Sequence, residues 1–317
     1  MTREPQENPI FRLLEKRLNR AHLQQRIGIE RDHQKKVFGQ GRKFFHIENW
    51  YSIHSVIRNI LRLGFLHGRG QQNALDLNVV RHDLKIAGLP KAFDGYTIAH
   101  LSDLHIDVNA DIPRVLKETL LQVEYDLCVI TGDFRARTHG PYDKALEYMK
   151  SVVSVIKGDV YGVMGNHDTI QMLPALEGMG IKMLMNESAE LERDGEKIYL
   201  AGIDDPHYFE AHNIEKAAEE IPHGAVSILL SHSPETYNHA AHAGFNGFLC
   251  GHTHGGQICL PGGFALMKNA RCPRRFCKGS WEHNEMSGYT SPGTGVSVVD
   301  VRYNCPPELI LHTLRCA

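Results

Sequence analysis

Tyr96-Thr97-Ile98-Ala99-His100-Leu101-Ser102-Asp103-Leu104-His105 joins a mostly apolar run to a short polar tail ending in Asp-x-His. Alternate residues of an extended segment face the same side, so Asp103 and His105 point together. The design recurs down the chain. The run at 127–131 enters Gly132-Asp133, and 160–163 enters Gly165-Asn166-His167-Asp168. Further on, 226–230 enters Ser231-His232, and 248–250 enters Gly251-His252-Thr253-His254. Five strand ends each deliver Asp, Asn or His. Sites in open α/β sheets form beyond the carboxyl ends of the strands, so five such loops make one site rich in oxygen and imidazole.

Helical periodicity lies between these runs at 113–123, 142–155, 214–220 and 234–243. Further strands are expected at 198–201, 296–301 and 309–314. Strands alternating with helices predict an α/β fold on a central sheet system. The chain has 317 residues, 42% of them hydrophobic and 23% charged, which excludes fibrous and wholly disordered classes. No apolar run approaches the length of a membrane span, and the N-terminus lacks the pattern of a secretory leader. Seven irregularly spaced cysteines fit a reducing compartment. The expected location is the cytoplasm, peripheral at the inner membrane.

The net charge of −2 conceals an asymmetry. Residues 1–69 hold 14 Lys and Arg against 6 Asp and Glu, whereas the rest of the chain holds 21 against 31. A basic arm on an acidic body suggests an anionic partner. Residues 1–43 are polar and Arg/Gln-rich. Phe11, Leu14 and Leu18 give a marginal helix, and much of the segment is expected to be mobile. Over 44–66, Trp50, Ile53, Ile57, Ile60 and Leu61 form an apolar stripe beside Arg58 and Arg62, with Phe44 and Phe45 near its start. Such a helix suits an anionic membrane interface. It equally suits packing on the catalytic body or on a second subunit, and charge does not choose between them. Gly68-Arg69-Gly70-Gln71-Gln72-Asn73 reads as a linker.

The ligand mixture suits manganese, iron or zinc rather than a closed structural zinc site, since no cysteine belongs to it. A carboxylate such as Asp133 can bridge two cations. Two cations about 3.5–4 Å apart activate a water and clamp an in-line displacement at phosphorus.

The five loops, in this order and over roughly residues 79–317, resemble the calcineurin-like metallophosphoesterases. The resemblance implies a four-layer αββα sandwich carrying two divalent metal ions, manganese first, with zinc or iron as alternatives. Residues 1–78 then form an N-terminal helical extension. The resemblance further implies that Asp103, His105 and His254 hold the first metal and Asn166, His232 and His252 the second, with Asp133 bridging. His167 would steady the transition state and protonate the leaving oxygen, and Asp168 would orient that region. Gly255-Gly256-Gln257, Leu260-Pro261 and Pro306-Pro307-Glu308 resemble the YkuE/YaeI-type bacterial branch, which implies cleavage of a phosphodiester or a pyrophosphate. UDP-2,3-diacylglucosamine, the substrate of the chlamydial-type hydrolase, is one such compound.

Two departures stand out. Arg135 and Arg137 follow Asp133 where many relatives carry another acid. Either could bind a phosphate oxygen through its planar fork or form a surface ion pair. Pro292 stands where relatives often have Arg. Cys272-Pro273-Arg274-Arg275-Phe276-Cys277 does not match a standard zinc spacing.

Two rival readings remain: a soluble nucleotide or nucleic-acid phosphodiesterase, and a non-catalytic scaffold of the same fold. The continuous apolar stripe favours lipid over nucleic acid, which needs charge more than an apolar face. All candidate ligands lie after residue 102, so deleting 1–72 is expected to spare hydrolysis of a small soluble diester.

Overall fold

Short apolar strands buried on both faces build the centre of the molecule, as parallel sheets covered on each side require. The computed structural model describes residues 9–38, 51–265, 267–297 and 299–317. One six-stranded sheet runs in the spatial order β1 (Asn78–Ile86), β14 (Glu308–Cys316), β2 (Thr97–Leu101), β3 (Leu127–Ile130), β4 (Asp159–Gly162) and β5 (Ile181–Met183). The other runs β12 (Gly279–His283), β13 (Met286–Thr290), β9 (Gly247–Cys250), β8 (Ser227–Leu230), β7 (Glu196–Gly202) and β6 (Glu187–Arg193). A small ribbon pairs β10 (Cys259–Leu260) with β11 (Phe264–Ala265). From β2 to β5 the first sheet is parallel, as is the second from β7 through β8 and β9 to β13.

Ile98, Val129 and Val163 meet Leu200, Ile228 and Leu249 between the sheets. On its outer face the first sheet turns Ala99, Leu101, Cys128 and Ile130 to α5 (Ile112–Leu120), α6 (Asp143–Val153) and α7 (Leu173–Gly178). The second turns Ala201, Leu229, Phe248 and Cys250 to α8 (Ile214–Ala218) and α9 (Tyr237–His242). The layers are therefore helix, sheet, sheet, helix: an αββα sandwich. α5 shows the local logic. Ile112, Leu116 and Leu120 recur every four residues and are buried, while Pro113 sits in the first turn, where no amide bond is lost.

Three expectations change. The segment 296–301 is not a strand among its described residues. Val296, Val299 and Val301 are buried, but their backbone meets side chains instead of a ladder: Ser297 N donates to Gln257 Oε1, and Gln257 Nε2 donates to Val299 O. The expected linker 68–73 lies within α4 (His67–Leu75). Gly70 lets that helix close on Val301 and Tyr303, where a Cβ would come within 2.7–2.9 Å of their side chains. Arg302 N donates to Gly70 O, and Asn73 Nδ2 donates to Arg302 O.

The N-terminal segment is also docked over its described residues, in α1 (Pro9–Arg17) and α2 (Arg20–Phe38). Leu14, Leu18 and Leu23 are buried with Leu173, Leu176 and Met183. Each such leucine contributes about 1.5–3 kcal/mol by burial. Arg17 fastens α1 by donating to Glu177, Glu187 and the carbonyl of Met183. A third helix, α3 (Tyr51–Leu63), occupies part of the expected amphipathic stretch, whereas Phe44, Phe45 and Trp50 lie outside the described residues. Among the described residues no helix is long and apolar enough to cross a membrane.

Candidate metal centre

All five polar loops leave their strands on one side of the sandwich, and backbone bonds knit them together. Asp103 N donates to Gly132 O, His105 N to Asp133 O, and Gly251 N to His232 O. The sheets are cross-tied at the same place: His252 N donates to Asp103 Oδ2 at 2.9 Å, and His232 Nδ1 to Thr131 O at 2.8 Å.

The loops turn tightly enough to put ligand-type side chains where ordinary residues resist. Asp103, His105, Asp133, His252 and His254 all have left-handed φ, between 37° and 70°. Such backbone is costly for a residue with a Cβ and gathers at functional sites. Gly251 provides the closest approach, since a Cβ there would lie 1.8 Å from Ser102 Oγ and 2.2 Å from Asp103 Oδ2. Gly251→Ala should therefore displace Asp103, destabilise the fold by about 1–3 kcal/mol and lower metal content. A thermal melt together with metal analysis checks this, and an unchanged melt with full metal content would show that the loop yields.

Asp103, His105 and His254 bring one ligand atom each within 4.8 Å of one another, as do Asp103, Asp133 and His232. Asp133 Oδ2 stands between the two halves, 3.5 Å from His105 Nε2 and 3.4 Å from His232 Nε2. Asn166 Oδ1 lies 2.8 Å from both His232 Nε2 and His252 Nδ1.

Tautomers decide whether this set suits cations. His105 Nδ1 lies 2.9 Å from Arg135 O, His232 Nδ1 2.8 Å from Thr131 O, and His252 Nε2 2.5 Å from Asn269 O. A backbone carbonyl only accepts, so each ring donates there and presents its other nitrogen to the site. Those inward nitrogens lie against other ring nitrogens: His105 Nε2 is 3.1 Å from His254 Nε2, and His232 Nε2 3.2 Å from His252 Nδ1. His254 Nε2 is 3.3 Å from Asp103 Oδ1, while its buried Nδ1 has no hydrogen-bond partner. Ring nitrogens converging on one another and on carboxylates fit divalent cations.

Burial shapes the electrostatics. It holds His105 near 3 and His252 and His254 well below the usual imidazole range, which keeps these rings neutral and able to ligate. It raises Asp103, and it raises Asp133 to about 7. For His232 burial works downward, but the carboxylates of Asp133 and Asp103 outweigh it and raise the ring well above its ordinary value.

His167 is buried beside this group, its ring edge-on to His105 at 4.8 Å between centroids. Its Nε2 is 3.9 Å from Asp133 Oδ2, and its Nδ1 is 3.4 Å from Thr138 Oγ1. Asp168 accepts from Asp133 N and Gly165 N through Oδ2 and from Phe134 N through Oδ1, tying two loops together. Arg135 is not available for a phosphate. Its guanidinium is buried and donates to the carbonyls of His167, Gly140 and Thr138. Arg137 is exposed. Beside Pro292, Arg302 buries its guanidinium and donates to the carbonyls of Pro292, Gly293 and Gly295.

Several contributors had no signal in the motifs: the carbonyls of Thr131, Arg135 and Asn269, and His207, whose ring lies 4.1 Å from that of His252. Cys272 Sγ and Cys277 Sγ are 3.7 Å apart, and among the described residues neither metal-type group includes a cysteine.

Imidazoles and buried carboxylates at the carboxyl ends of a double sheet define a metal-dependent phosphoester hydrolase. Residues 96–256 match the calcineurin-like phosphoesterases, and the chain belongs to that family. The metallophosphoesterase YkoQ of Bacillus subtilis is 29% identical over 261 residues, 78% of this chain and 93% of its own. YpbG of the same organism is 30% identical over 234 residues, 69% of this chain and 80% of its own. The phosphodiesterase YaeI of Escherichia coli is 24% identical over 235 residues, 69% of this chain and 82% of its own.

Proposed function

We propose that this enzyme hydrolyses a phosphodiester or pyrophosphate bond in a lipid or lipid-nucleotide held at an anionic membrane surface, UDP-2,3-diacylglucosamine being a compound of that chemistry. Residues 79–317 would be the catalytic domain and 1–78 a helical extension. The observation that carries the membrane reading lies at the end of α3, where Ile60, Leu63, Phe65 and Leu66 are exposed next to Arg62. Contiguous exposed apolar side chains flanked by positive charge suit a lipid interface. The name of YaeI supports the diester.

In this reading Asp103, His105 and His254 hold one cation and Asn166, His232 and His252 the other, with Asp133 shared. When bound, two divalent ions supply Lewis acidity and lower the pKa of the attacking water. Oxygen and imidazole donors without thiolate support manganese, with zinc or iron as alternatives. The protein's own part is to fix the rings of His105, His232 and His252 through carbonyls, exclude bulk water, and place His167 outside the ligand set, where it delivers a proton to the leaving oxygen. Arg137 remains a candidate for contact with a phosphate oxygen.

Flotation with anionic vesicles tests the membrane half. The full chain should float, and moderate salt should weaken binding without abolishing it, because charge is screened while apolar insertion is not. Leu63→Glu with Phe65→Glu should weaken vesicle binding by about 10²–10⁴-fold, given about 1.5–3 kcal/mol for each side chain. Hydrolysis of a soluble diester should be unchanged. Failure of the full chain to float would end the membrane reading and leave the hydrolase intact.

A further inference from the structure

We propose that α2 is a positioning element of the active site, with Arg26 and Glu30 as the residues that hold the His167 loop in register. The helix lies outside the residues that match the family. Arg26 is fully buried, its guanidinium stacked 3.3 Å from the ring centroid of Phe209. It donates from Nη2 to Asp168 O at 2.9 Å and from Nη1 to Glu30 Oε1 at 2.7 Å, and its Nε is 3.2 Å from Asp204 Oδ2. Glu30 in turn accepts from Thr169 Oγ1 at 2.6 Å and from Ile170 N at 2.7 Å.

Two buried guanidinium groups therefore cap consecutive carbonyls of one loop. Arg135 takes the carbonyl of His167, and Arg26 takes that of Asp168. The next two residues are held by Glu30. From α2 the loop thus receives bonds at Asp168 O, Thr169 Oγ1 and Ile170 N, so the helix fixes the residues that directly follow His167 and through them the aim of its ring. His22 strengthens the base of the clamp, its Nε2 lying 2.8 Å from Asp204 Oδ2. Burial acts to raise Asp204, but the charge of Arg26 and the bond from His22 prevail and hold it below the ordinary carboxylate range.

A planar, always-charged fork reaching three partners suits this place. On this proposal the N-terminal arm contributes to turnover, and its removal would slow hydrolysis even of a small soluble substrate. The inference rests on His167 acting at the leaving oxygen.

The test measures kcat, KM and metal content of the full chain with manganese, for Arg26→Gln, Thr169→Val and His167→Ala. Substrates are bis-p-nitrophenyl phosphate and a diester with an alkyl leaving group. Arg26→Gln should bind metal normally and keep its KM. Its kcat on the alkyl diester should fall on the order of 10²-fold, the scale of a misplacement of about 1 Å, and by less on the nitrophenyl ester. Placed in the His167→Ala background, the same substitution should cost less than about 3-fold, since residues acting as one unit are not additive. Thr169→Val, which unpairs no arginine, should show the same pattern more weakly, and it carries the test if Arg26→Gln does not fold. A folded Arg26→Gln with wild-type kcat, or equal losses with and without His167, would overturn the inference alone. A fully active His167→Ala would remove the inference together with the assigned role of His167.

Discussion

Asp133→Asn should purify folded, carry little metal and lose turnover by on the order of 10³-fold or more. The substitution keeps size and shape and preserves an acceptor for His167 N, which now donates to Asp133 Oδ1 at 2.8 Å. It removes the charge that stands between His105 and His232. A cation contributes several kcal/mol to stabilising transition-state charge, and each 1.36 kcal/mol or so is tenfold in rate. Metal analysis and circular dichroism of the same preparation separate loss of metal from loss of fold. Chelation should stop the wild-type enzyme, and added manganese should restore it. Full turnover by metal-free protein would refute the two-cation reading.

The second large effect falls on His167. Removing a group that protonates a leaving oxygen should lower kcat by about 10²–10⁴-fold for a poor leaving group. An ester of p-nitrophenol needs little protonation and should lose much less. Metal content should be unchanged in His167→Ala, because this ring stands outside both metal-type groups. Equal losses on both esters would argue against proton transfer and leave charge stabilisation as its contribution.

Much of the architecture was readable because two-sided burial leaves a mark in the letters. The runs ending at Leu101, Ile130, Leu230 and Cys250 are mostly apolar, and each strand falls within about one residue of the one expected there. The site motifs were readable because only certain side chains ligate metals. What escaped has no letter of its own. The carbonyls of Thr131 and Asn269 set ring tautomers, yet any residue has a carbonyl. Arg135 looked like a phosphate fork because sequence cannot say that three carbonyls surround it. The valines at 296–301 looked like a strand because burial alone does not supply a ladder partner. Gly70 looked like a break in the chain, whereas it is a contact surface for Val301 and Tyr303. The polar α2 showed no strong apolar face, so its docking through Arg26 and Glu30 was invisible without coordinates.

The place of β14 bears on how the protein is born. This last strand lies between β1 and β2, paired with nine residues of the one and four of the other. As the chain emerges from a ribosome, β1 and β2 appear early and wait for some two hundred further residues to be added. At about 5–20 residues per second the wait is roughly 10–40 s. Through that interval β1 and β2 present unpaired edges, the surface most open to wrong partners. The nascent chain should therefore depend on chaperones until translation passes residue 308. Any product that stops before it would leave β1 without a partner in the sheet and be marked for degradation while its metal-binding loops are already complete.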